Sequence, residues 1–378
     1  MIKFNIPAYT KDEDKYLKEV LTNQHYCGEG IMTKRCEEIL EQRFKTPKAL
    51  LTTSCSSALD MSALLCDIKP DDEVILPSFT FSTTASSFAL RKAKLVFVDI
   101  RPDTMNINEK LIEEAITDKT RAISVVHYAG VSCEMDTIIS IAKKHHLLVV
   151  EDAAQGVMSY YKGKALGTIG DFGCFSFHDT KNYNMGEGGA LLINSPKYFD
   201  VADNILDCGN NKKSFKAGKV SEYSWVDIGS SFLPSELNAA FLLGQLDNLD
   251  KINDDRLATW ALYYQLLKPL AEKGILELPY IPKDCVHNAH MFYIKAKTTK
   301  ERSELILFLK NNGIMSATHY VPLHSSTAGK KYGYFHGEDK YTSKESRRLL
   351  RLPMYYQLGK DQVVEVVDSI YRFYGLRS

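Results

Sequence analysis

The chain has 378 residues, of which 44% are hydrophobic and 25% are charged, and its 47 basic residues balance 47 acidic ones. A formal net charge of zero excludes an overall field that would recruit nucleic acid or an acidic membrane, so a bound anion must be held by a local site. No apolar run approaches the ~18 residues of a membrane span, and the eight cysteines show neither paired nor clustered spacing. We therefore expect a cytoplasmic, reduced protein without a disulfide framework.

The first fifty residues have helical periodicity, and a different pattern follows them. From residue 50 to about residue 195, short apolar runs typical of strands alternate with segments of helical spacing. The runs predicted to be strands are EVILPSFTF, KLVFVDI, AISVVHYAG, HLLVVEDAA, GCFSFHD and GALLIN. The segments predicted to be helices are SSALDMSALLCDI, TASSFALRK, NEKLIEEAIT and MDTIISIAKKHH. Because strands covered on both faces are apolar along their length, this alternation predicts an α/β fold with a largely parallel sheet.

The pattern changes at Pro234, where about forty residues of helical periodicity begin. That stretch is too long for one compact helix without a bend or a crossing between domains. Beyond it, HMFYIKA and MSATHYVP are predicted strands, and RSELILFLKNNG is a predicted helix that ends at Gly313, before two final helices. We therefore predict a large α/β domain over residues 1–250 and a smaller α+β domain over residues 251–378.

Two acidic residues, Glu151 and Asp152, end the strand in VVEDAAQG. The carboxyl ends of strands are where α/β proteins bind ligands, although a solvated strand end or a helix cap would use the same residues. The Ala-Ala-Gln-Gly that follows keeps the surroundings small and poorly charged, so an unpaired carboxylate would be costly unless it met a cation. A protonated pyridine nitrogen would be such a partner.

Small hydroxyl residues precede an apolar helix in LTTSCSSALDMSA. The free N–H groups of a helix start, together with the helix dipole, would form a cradle for a phosphate. Simple capping of the helix by Ser54 or Ser56 explains the pattern equally well. Phe81, in PSFTFS, follows a strand end and would either stack on a flat ring or belong to the core.

Lys181 lies in FHDTKNYNMGEGGA, five residues after Ser176 and shortly before a glycine turn. Gly186, Gly188 and Gly189 permit conformations and close approaches that side chains would block. The lysine is either an ordinary surface residue or a nucleophile, and a nucleophilic amine needs burial or cationic neighbours to lower its pKa. GEGG lacks GxGxxG spacing and precedes a strand, so it does not indicate a dinucleotide loop.

Two further polar groups carry candidate binding residues. HYVPLH places His319, Tyr320 and His324 in the small domain, but it is not an HExxH pattern and we assign no metal to it. The lysines of NNKKSFKAGK, which include Lys212 and Lys213, form a basic loop that either faces solvent or meets a diphosphate.

In combination, these motifs resemble the DegT/DnrJ/EryC1/StrS family of sugar aminotransferases over almost the whole chain. EDAAQ, SFHDTKN with GEGG, and HYVPLH carry the resemblance. It implies the fold type I architecture of pyridoxal-phosphate enzymes, with a large domain whose mostly parallel sheet lies between helices and a smaller C-terminal α+β domain. It also implies pyridoxal 5'-phosphate (PLP) as cofactor, its amine form (PMP) as intermediate, and a homodimer with active sites at the interface.

Carried over residue by residue, the resemblance makes Lys181 the Schiff-base lysine and pairs Asp152 with the pyridinium nitrogen. Gln155 would contact the ring hydroxyl, and Phe81 would stack on the ring. The residues that would hold the cofactor phosphate are Ser56, Ser57, Ser176 and Ser231, the last at a position where many relatives have an asparagine that reaches the partner subunit's site. The residues that would contact the substrate are His319, Tyr320, Lys212 and Lys213.

VHYAGVSCEMDTI, DIGSSF and FHGEDKYTSKESRRLLRLP are similar to the galactose-forming members of the family. The resemblance thus implies transfer of an amino group from L-glutamate to C4 of dTDP-4-dehydro-6-deoxy-D-glucose, giving dTDP-4-amino-4,6-dideoxy-D-galactose for cell-surface polysaccharide. The gluco epimer stays open, because the epimer depends on which face of the hexose lies toward Lys181, and so does another nucleotide-sugar aminotransferase. Family dehydratases carry histidine in place of this lysine, so Lys181 argues against them. Lys181, Asp152 and Gln155 together disfavour a non-catalytic regulator that binds PLP.

Overall fold

The structure is a computed structural model that describes residues 1–377. Its α-helices are α1 Asp12–Asn23, α2 Ile31–Phe44, α3 Cys55–Leu65, α4 Ser82–Leu90, α5 Met135–Lys144, α6 Phe199–Leu206, α7 Lys212–Lys216, α8 Glu236–Leu246, α9 Leu249–Glu272, α10 Thr299–Asn311, α11 Thr327–Tyr332, α12 Thr342–Arg348 and α13 Lys360–Phe373. Its strands are β1 Lys48–Thr52, β2 Glu73–Pro77, β3 Lys94–Val98, β4 Thr120–Val126, β5 Leu148–Asp152, β6 Tyr160–Tyr161, β7 Lys164–Ala165, β8 Phe172–Ser176, β9 Gly189–Ile193, β10 Cys285–Val286, β11 Phe292–Lys295, β12 Gly333–Phe335 and β13 Leu349–Leu352. No helix among the described residues is both long and apolar enough to cross a membrane.

The largest sheet has eight strands in the order β1-β9-β8-β5-β4-β2-β3-β12. The central pairs β8–β5, β5–β4, β4–β2 and β2–β3 are parallel, whereas β9 runs antiparallel to both β1 and β8. The predicted α/β fold with a largely parallel sheet is therefore confirmed.

Helices cover both faces of this sheet, which explains why its strands are apolar along their length. Successive side chains of a strand point to opposite faces, so Val149 belongs to one hydrophobic cluster and its neighbour Val150 to the other. The first cluster contains side chains of α1, α2, α5 and α8, and the second contains side chains of α3, α4 and α6. The sheet is thus the middle of three layers.

The stretch of about forty residues with helical periodicity is divided at Asp247 and Asn248 into α8 and α9, as its length predicted. Leu249 and Ile252 in α9 pack in the core of the large sheet, whereas Tyr263 and Leu267 in the same helix pack in a separate core with β11 and β13. We therefore retain as a proposal the division into residues 1–250 and 251–378, of which Ser378 lies outside the described residues. β12 comes from the second part but pairs with β3 at the edge of the large sheet.

Two segments differ from their prediction, and α10 is followed by the three helices α11, α12 and α13 where two final helices were predicted. NEKLIEEAIT forms two single 3-10 turns, Glu109–Leu111 and Glu113–Ala115, because the chain becomes extended at Ile116 before a longer helix can form. MSATHYVP is not a strand: only Ala317 pairs with β13, through Arg351, and residues 318–322 have no regular secondary structure. This departure frees the side chains after Ala317 to face a cavity.

Residues 2–4 are hydrogen-bonded to the C-terminal part of the chain, which contains the separate core around β11 and β13. The N–H of Ile2 donates to the carbonyl of Gly313 at 2.8 Å, and the N–H of Met315 donates back to Ile2 at 3.0 Å. The carbonyl of Phe4 accepts a hydrogen bond from the N–H of Met354 at 3.3 Å. The segment before α1 is therefore held against the C-terminal part.

Candidate active site

A cavity of about 500 Å³ opens at the carboxyl end of β5, between the large sheet and the C-terminal part of the chain. The predicted site residues that line it are Ser56, Phe81, Asp152, Gln155, Ser176, Lys181, His319 and Tyr320. Lining residues that were not predicted include Ser54, Thr80, His290 and Arg351. This is the edge of the sheet where α/β proteins bind ligands.

Lys181 lies in the loop between β8 and β9, and its side chain lines the cavity while protein encloses its amine. Burial lowers the pKa of this amine, and the charge of Arg351 lowers it further, whereas Cys55 and Asp152 oppose the shift. A lysine with a lowered pKa has more free amine at neutral pH, and the free amine is the nucleophile and the base. Lys181 is therefore not a solvated surface lysine, and its burial and lowered pKa are what a reactive lysine needs.

The glycine turn after Lys181 allows its loop to pass close to the start of α3. The N–H of Phe177 donates to the carbonyl of Gly188 at 2.9 Å and closes the base of the loop. A Cβ atom on Gly189 would lie 2.4 Å from the backbone nitrogen of Cys55 and 2.5 Å from the carbonyl carbon of Ser54. Because backbone cannot move aside as a side-chain tip can, the absence of a side chain at position 189 sets the separation between the lysine loop and α3.

Asp152 is the last residue of β5, and its carboxylate is buried at the cavity wall. Thr84 Oγ1 donates to Oδ2 at 2.6 Å, and the N–H of Ala154 donates to Oδ1 at 3.2 Å. Burial raises the pKa of this carboxyl, while both hydrogen bonds and the Lys181 charge oppose the rise. The carboxylate is oriented, and a cationic ligand group would stabilise its charge.

Gln155 is fixed by partners at both ends of its amide. The N–H of Ala129 donates to Oε1 at 2.6 Å, and Nε2 donates to the hydroxyl oxygen of Tyr320 at 3.2 Å. Ala129 adopts a left-handed backbone conformation, with φ 59°, which is uncommon for a residue with a side chain. The turn at Ala129 thus determines which end of the Gln155 amide faces the cavity.

The hydroxyl residues before α3 divide into two roles. Ser54 is the helix cap, because its Oγ accepts the N–H of Ser57 at 3.0 Å, and it also lines the cavity. Ser56 lines the cavity beside it. The hydroxyl of Ser57 is bonded to Thr53 at 2.8 Å and is not brought into the cavity lining.

Phe81 lies at the start of α4 and is 57% exposed, so it does not belong to the core. Its ring lies 6.4 Å from the ring of Tyr320, centroid to centroid, on the wall of the cavity. A flat ligand ring bound in the cavity could stack on the exposed face of Phe81.

His319 and Tyr320 stack on each other with ring centroids 4.0 Å apart, and both face the cavity. Burial lowers the pKa of His319 to about 2, with a smaller effect from Arg351, so the imidazole is neutral. His324, from the same motif, lies elsewhere: its Nε2 is 3.2 Å from a carboxylate oxygen of Asp339. The motif therefore contributes two of its three polar side chains to the site.

Besides Ser57, three predicted site residues are not brought to the cavity of this chain. Lys212 pairs with Asp207 at 3.2 Å, and Lys213 pairs with Asp203 at 2.9 Å. Ser231 forms an isolated bridge with Asp207. Within one subunit, these residues do not contact the groups that line the cavity.

A comparison with protein families identifies the chain. A profile described as the DegT/DnrJ/EryC1/StrS aminotransferase family matches residues 7–371. The chain belongs to this family. The prediction made from EDAAQ, SFHDTKN and HYVPLH is thereby confirmed.

Individual relatives of the family agree with this assignment. The pleiotropic regulatory protein of Geobacillus stearothermophilus is 35% identical over 362 residues, which cover 95% of this chain and 94% of that protein. GDP-perosamine synthase of Escherichia coli O157:H7 is 28% identical over 370 residues, which cover 98% of this chain and 97% of that protein. The PMP form of Spr1654 from Streptococcus pneumoniae has a TM-score of 0.92 and 25% identity, and the match covers 99% of each chain. The protein is a sugar aminotransferase of this family with PLP as its cofactor, as predicted.

The lining of the cavity fits that cofactor. A buried carboxylate, Asp152, suits a protonated ring nitrogen, and the buried amine of Lys181 suits attachment to a carbonyl carbon. Ser56, Ser176 and the first turn of α3 present hydroxyl and N–H donors to a phosphate. The cavity lining therefore includes a carboxylate, an amine and a set of hydrogen-bond donors, which are the groups that the ring nitrogen, the carbonyl carbon and the phosphate of PLP would need.

Sequence reasoning missed several side chains that shape the site. Thr84, which holds Asp152, is one of many threonines and gave no signal. Arg351 did give one, because it is a single charge inside the apolar run LLRLP. A charged residue in the middle of a buried strand is costly and therefore indicates a partner or a ligand.

Proposed function

We propose that the protein transfers an amino group from L-glutamate to C4 of dTDP-4-dehydro-6-deoxy-D-glucose and forms dTDP-4-amino-4,6-dideoxy-D-galactose in the cytoplasm, for cell-surface polysaccharide. The observation that supports transfer chemistry is that Lys181 and Asp152, a buried amine and a buried carboxylate, line one cavity. The choice of sugar is supported by the likeness of VHYAGVSCEMDTI, DIGSSF and FHGEDKYTSKESRRLLRLP to galactose-forming members of the family.

PLP, when bound, supplies a ring that takes up the electrons of a carbanion at the substrate carbon. Lys181 would hold the cofactor through its amine, and the free amine would accept and return a proton at the substrate carbon, for which its lowered pKa is suited. Asp152, oriented by Thr84, keeps the ring nitrogen protonated through its negative charge. Gln155 orients the ring from the side of its hydroxyl.

The remaining roles concern the phosphate and the sugar. Ser56 and Ser176 hold the cofactor phosphate, and Ser57 contributes through the start of α3, where its N–H donates to the capping side chain of Ser54. Phe81 stacks on the cofactor ring. His319 and Tyr320 contact the hexose from the C-terminal side of the cavity.

We further propose that the protein is a homodimer in which Lys212, Lys213 and Ser231 serve the partner subunit's site. In support, the segment that contains them has apolar side chains at the surface, among them Tyr223, Trp225 and Ile228. A group of exposed apolar side chains of this kind is typical of an interface. The arrangement would explain why the three polar residues do not face the cavity of their own subunit.

Incubation with PLP, L-glutamate and dTDP-4-dehydro-6-deoxy-D-glucose, followed by proton NMR of the purified product, tests the function. A small H3–H4 coupling supports the galacto sugar, whereas a large diaxial coupling would establish the gluco epimer. The GDP-linked 4-dehydro-6-deoxy sugar is the matched alternative, since one relative is named for a GDP-linked product. A bound yellow cofactor without turnover of either sugar would contradict the proposal and favour a regulatory protein.

A further inference from the structure

His290 is a buried histidine on the wall of the cavity, and the proposed chemistry gives it no task. It lies two residues before β11 and follows Ala289, whose backbone is left-handed with φ 49°. Nη2 of Arg256 donates to the carbonyl of His290 at 2.7 Å, and the N–H of His290 donates to Oδ1 of Asn288 at 3.0 Å. Both polar groups of its backbone are therefore held, and the imidazole is presented to the cavity from a rigid turn.

Asn182, the residue after Lys181, determines which ring nitrogen of His290 carries the proton. Its Nδ2 donates to the carbonyl of Asn288 at 2.9 Å, so its Oδ1 is the atom that lies 2.9 Å from Nδ1 of His290. An amide oxygen accepts hydrogen bonds and cannot donate them, so Nδ1 carries the proton. Burial lowers the pKa of His290 well below its ordinary value, and the charge of Lys181 lowers it further, so the ring is neutral. Nε2 is therefore a hydrogen-bond acceptor.

Nε2 of His290 forms no hydrogen bond with any residue in the range 1–377, and it is not enclosed by protein either. One nitrogen of the ring is thus bonded to Asn182, while the other is open to the cavity. Buried polar atoms are nearly always paired in native proteins. We therefore expect Nε2 to meet a donor that comes from a ligand or from a side chain that moves during the reaction.

The side chain of Lys181 is such a donor, and several observations place it beside His290. Both residues line the main cavity, and both also line a second cavity of only about 10 Å³. Residues that surround a space no larger than one water molecule lie close together. The charge of Lys181 acts on the imidazole, and Asn182, which is bonded to the ring, is the next residue of the lysine loop.

The chemistry proposed for Lys181 needs an acceptor of this kind. When the amine takes a proton from the substrate carbon, it becomes an ammonium group with three N–H donors inside a buried site. A carboxylate bonded directly to it would form an ion pair and raise its pKa, so the proton would be returned slowly. A neutral imidazole nitrogen accepts one N–H without adding a charge, and it leaves the other N–H groups to face the substrate.

We propose that His290 is a positioning residue for Lys181: Nε2 of the imidazole accepts a hydrogen bond from the amine once the lysine is no longer attached to the cofactor. The proton of the substrate carbon passes to the amine and is returned from it, and the imidazole neither gains nor loses a proton. Asn182 fixes the tautomer that this requires. The role of His290 rests on the function proposed for Lys181.

Two substitutions at His290 separate the two nitrogens of its ring. His290→Asn retains a donor for Asn182 near the place of Nδ1, whereas His290→Gln retains an acceptor near the place of Nε2. His287→Asn is the control, because His287 is a partly buried histidine three residues earlier that lines neither cavity. All variants are compared in the PLP form, in which L-glutamate and the 4-amino sugar nucleotide each convert the cofactor to PMP in a single turnover.

We expect the single-turnover rate at saturating substrate to fall at least about tenfold in His290→Asn, because a hydrogen bond to a charged group is lost. The loss should appear with both substrates, since the same lysine serves both. His290→Gln should be at least about threefold faster than His290→Asn, and His287→Asn should stay within about threefold of the wild type. With L-glutamate deuterated at Cα, the primary isotope effect should not decrease in His290→Asn, because proton transfer is the step that slows.

A second readout needs neither cofactor nor turnover. In the full chain without PLP and with nitrogen-15-labelled histidines, NMR should show one protonated and one unprotonated ring nitrogen for His290, assigned by the loss of its signals in His290→Gln. The unprotonated nitrogen should be Nε2, and its signal should shift in Lys181→Ala, which removes the donor. Should His290→Asn not fold, this comparison and the rates of His290→Gln still decide the proposal.

A proton on Nε2, an unshifted signal in Lys181→Ala, or a smaller isotope effect in His290→Asn would each overturn the proposal. Rates in His290→Asn that equal or exceed those in His290→Gln would show that the ring only holds Asn182. A loss confined to the sugar nucleotide would instead assign Nε2 to a hydroxyl group of the hexose.

The same measurements separate a failure of this role from a failure of the proposed function. Should Lys181→Ala keep its turnover, the function proposed for Lys181 would fall, and the role of His290 with it. An inactive Lys181→Ala together with a fully active His290→Asn would reject the role of His290 alone. Should the wild type react with L-glutamate but ignore the sugar nucleotide, the proposed sugar would fall, while the rates with L-glutamate would still decide the role of His290.

Discussion

Replacing Lys181 by alanine removes the amine that holds the cofactor and carries the proton. Lys181→Ala should abolish turnover with L-glutamate and the sugar nucleotide, while the phosphate contacts at the start of α3 retain part of the cofactor affinity. Steady-state rates and the cofactor content after dialysis measure both effects. Lys297→Ala, at an exposed position away from the cavity, is the control. Multiple turnovers at a near wild-type rate would remove Lys181 from its role.

The negative charge of Asp152 should matter more than its hydrogen bonds. Asp152→Asn leaves an amide that still accepts from Thr84 but cannot stabilise a protonated ring nitrogen. We expect a folded protein that binds the cofactor with an altered absorption spectrum and has at least about 100-fold lower activity. An unchanged rate together with an unchanged spectrum would show that this carboxylate is structural.

His287 should give the stability of the protein a measurable pH dependence. Burial lowers its pKa from 6.5 to about 4. Between these values the unfolded chain binds a proton that the folded protein does not, so the free energy of unfolding falls as the pH falls through this range. From pH 7 to pH 5, urea unfolding of the wild type should therefore lose roughly 2 kcal/mol more than that of His287→Gln. Equal losses in both proteins would contradict the assignment.

The single residues show what can be predicted from a sequence and what cannot. Lys181, Asp152 and Gln155 lie in motifs whose order was informative, and the structure brings all three to one cavity. The role of Ala129 in orienting Gln155 was not predicted, because nothing in the sequence indicates that an alanine will adopt a left-handed backbone conformation. Arg351 was overlooked although a charge within a buried strand is a strong signal.

The lysine loop and α3 are two elements that must approach each other closely at Gly189. Gly189→Ala would drive a Cβ atom into the backbone of α3, so we expect the phosphate contacts to move and the Kd for PLP to rise at least about tenfold. Gly186→Ala in the same loop is the control: it has φ 77° and open space around it, so it should cost about 1 kcal/mol of stability and leave the Kd for PLP nearly unchanged. Equal cofactor affinities in the two variants would show that the separation is not critical.

Among the helices and strands, the fully buried strands were predicted best from the sequence. β2, β8 and β9 are buried at every position, and their runs were apolar throughout for that reason. The segment around His319 was predicted as a strand because β-branched and aromatic residues are common in it. It departs after one bridge, at Ala317, and the side chains of His319 and Tyr320 line the cavity instead. Function overrides local propensity there.

The association of two subunits is a property of the whole molecule, and Trp225 offers a way to test it. This side chain is 73% exposed in the single chain. Trp225→Asp should place a charge in the proposed interface, so light scattering should show a smaller mass, and activity should fall if Ser231 and the nearby lysines serve the partner subunit. Tyr280→Asp, at another exposed aromatic, should change neither. Monomeric wild-type protein with full activity would contradict the homodimer.

The bonds between the first residues and the C-terminal part have a consequence for the order of events during synthesis. Ile2 is made long before its partners Gly313 and Met315, and Phe4 is made long before its partner Met354. The opening segment must therefore wait while the large sheet assembles behind it. Phe4 also lies against Arg351 at the cavity wall. A segment made early and a strand made late thus meet at the cavity, and the pocket should form late in the folding of the newly made protein.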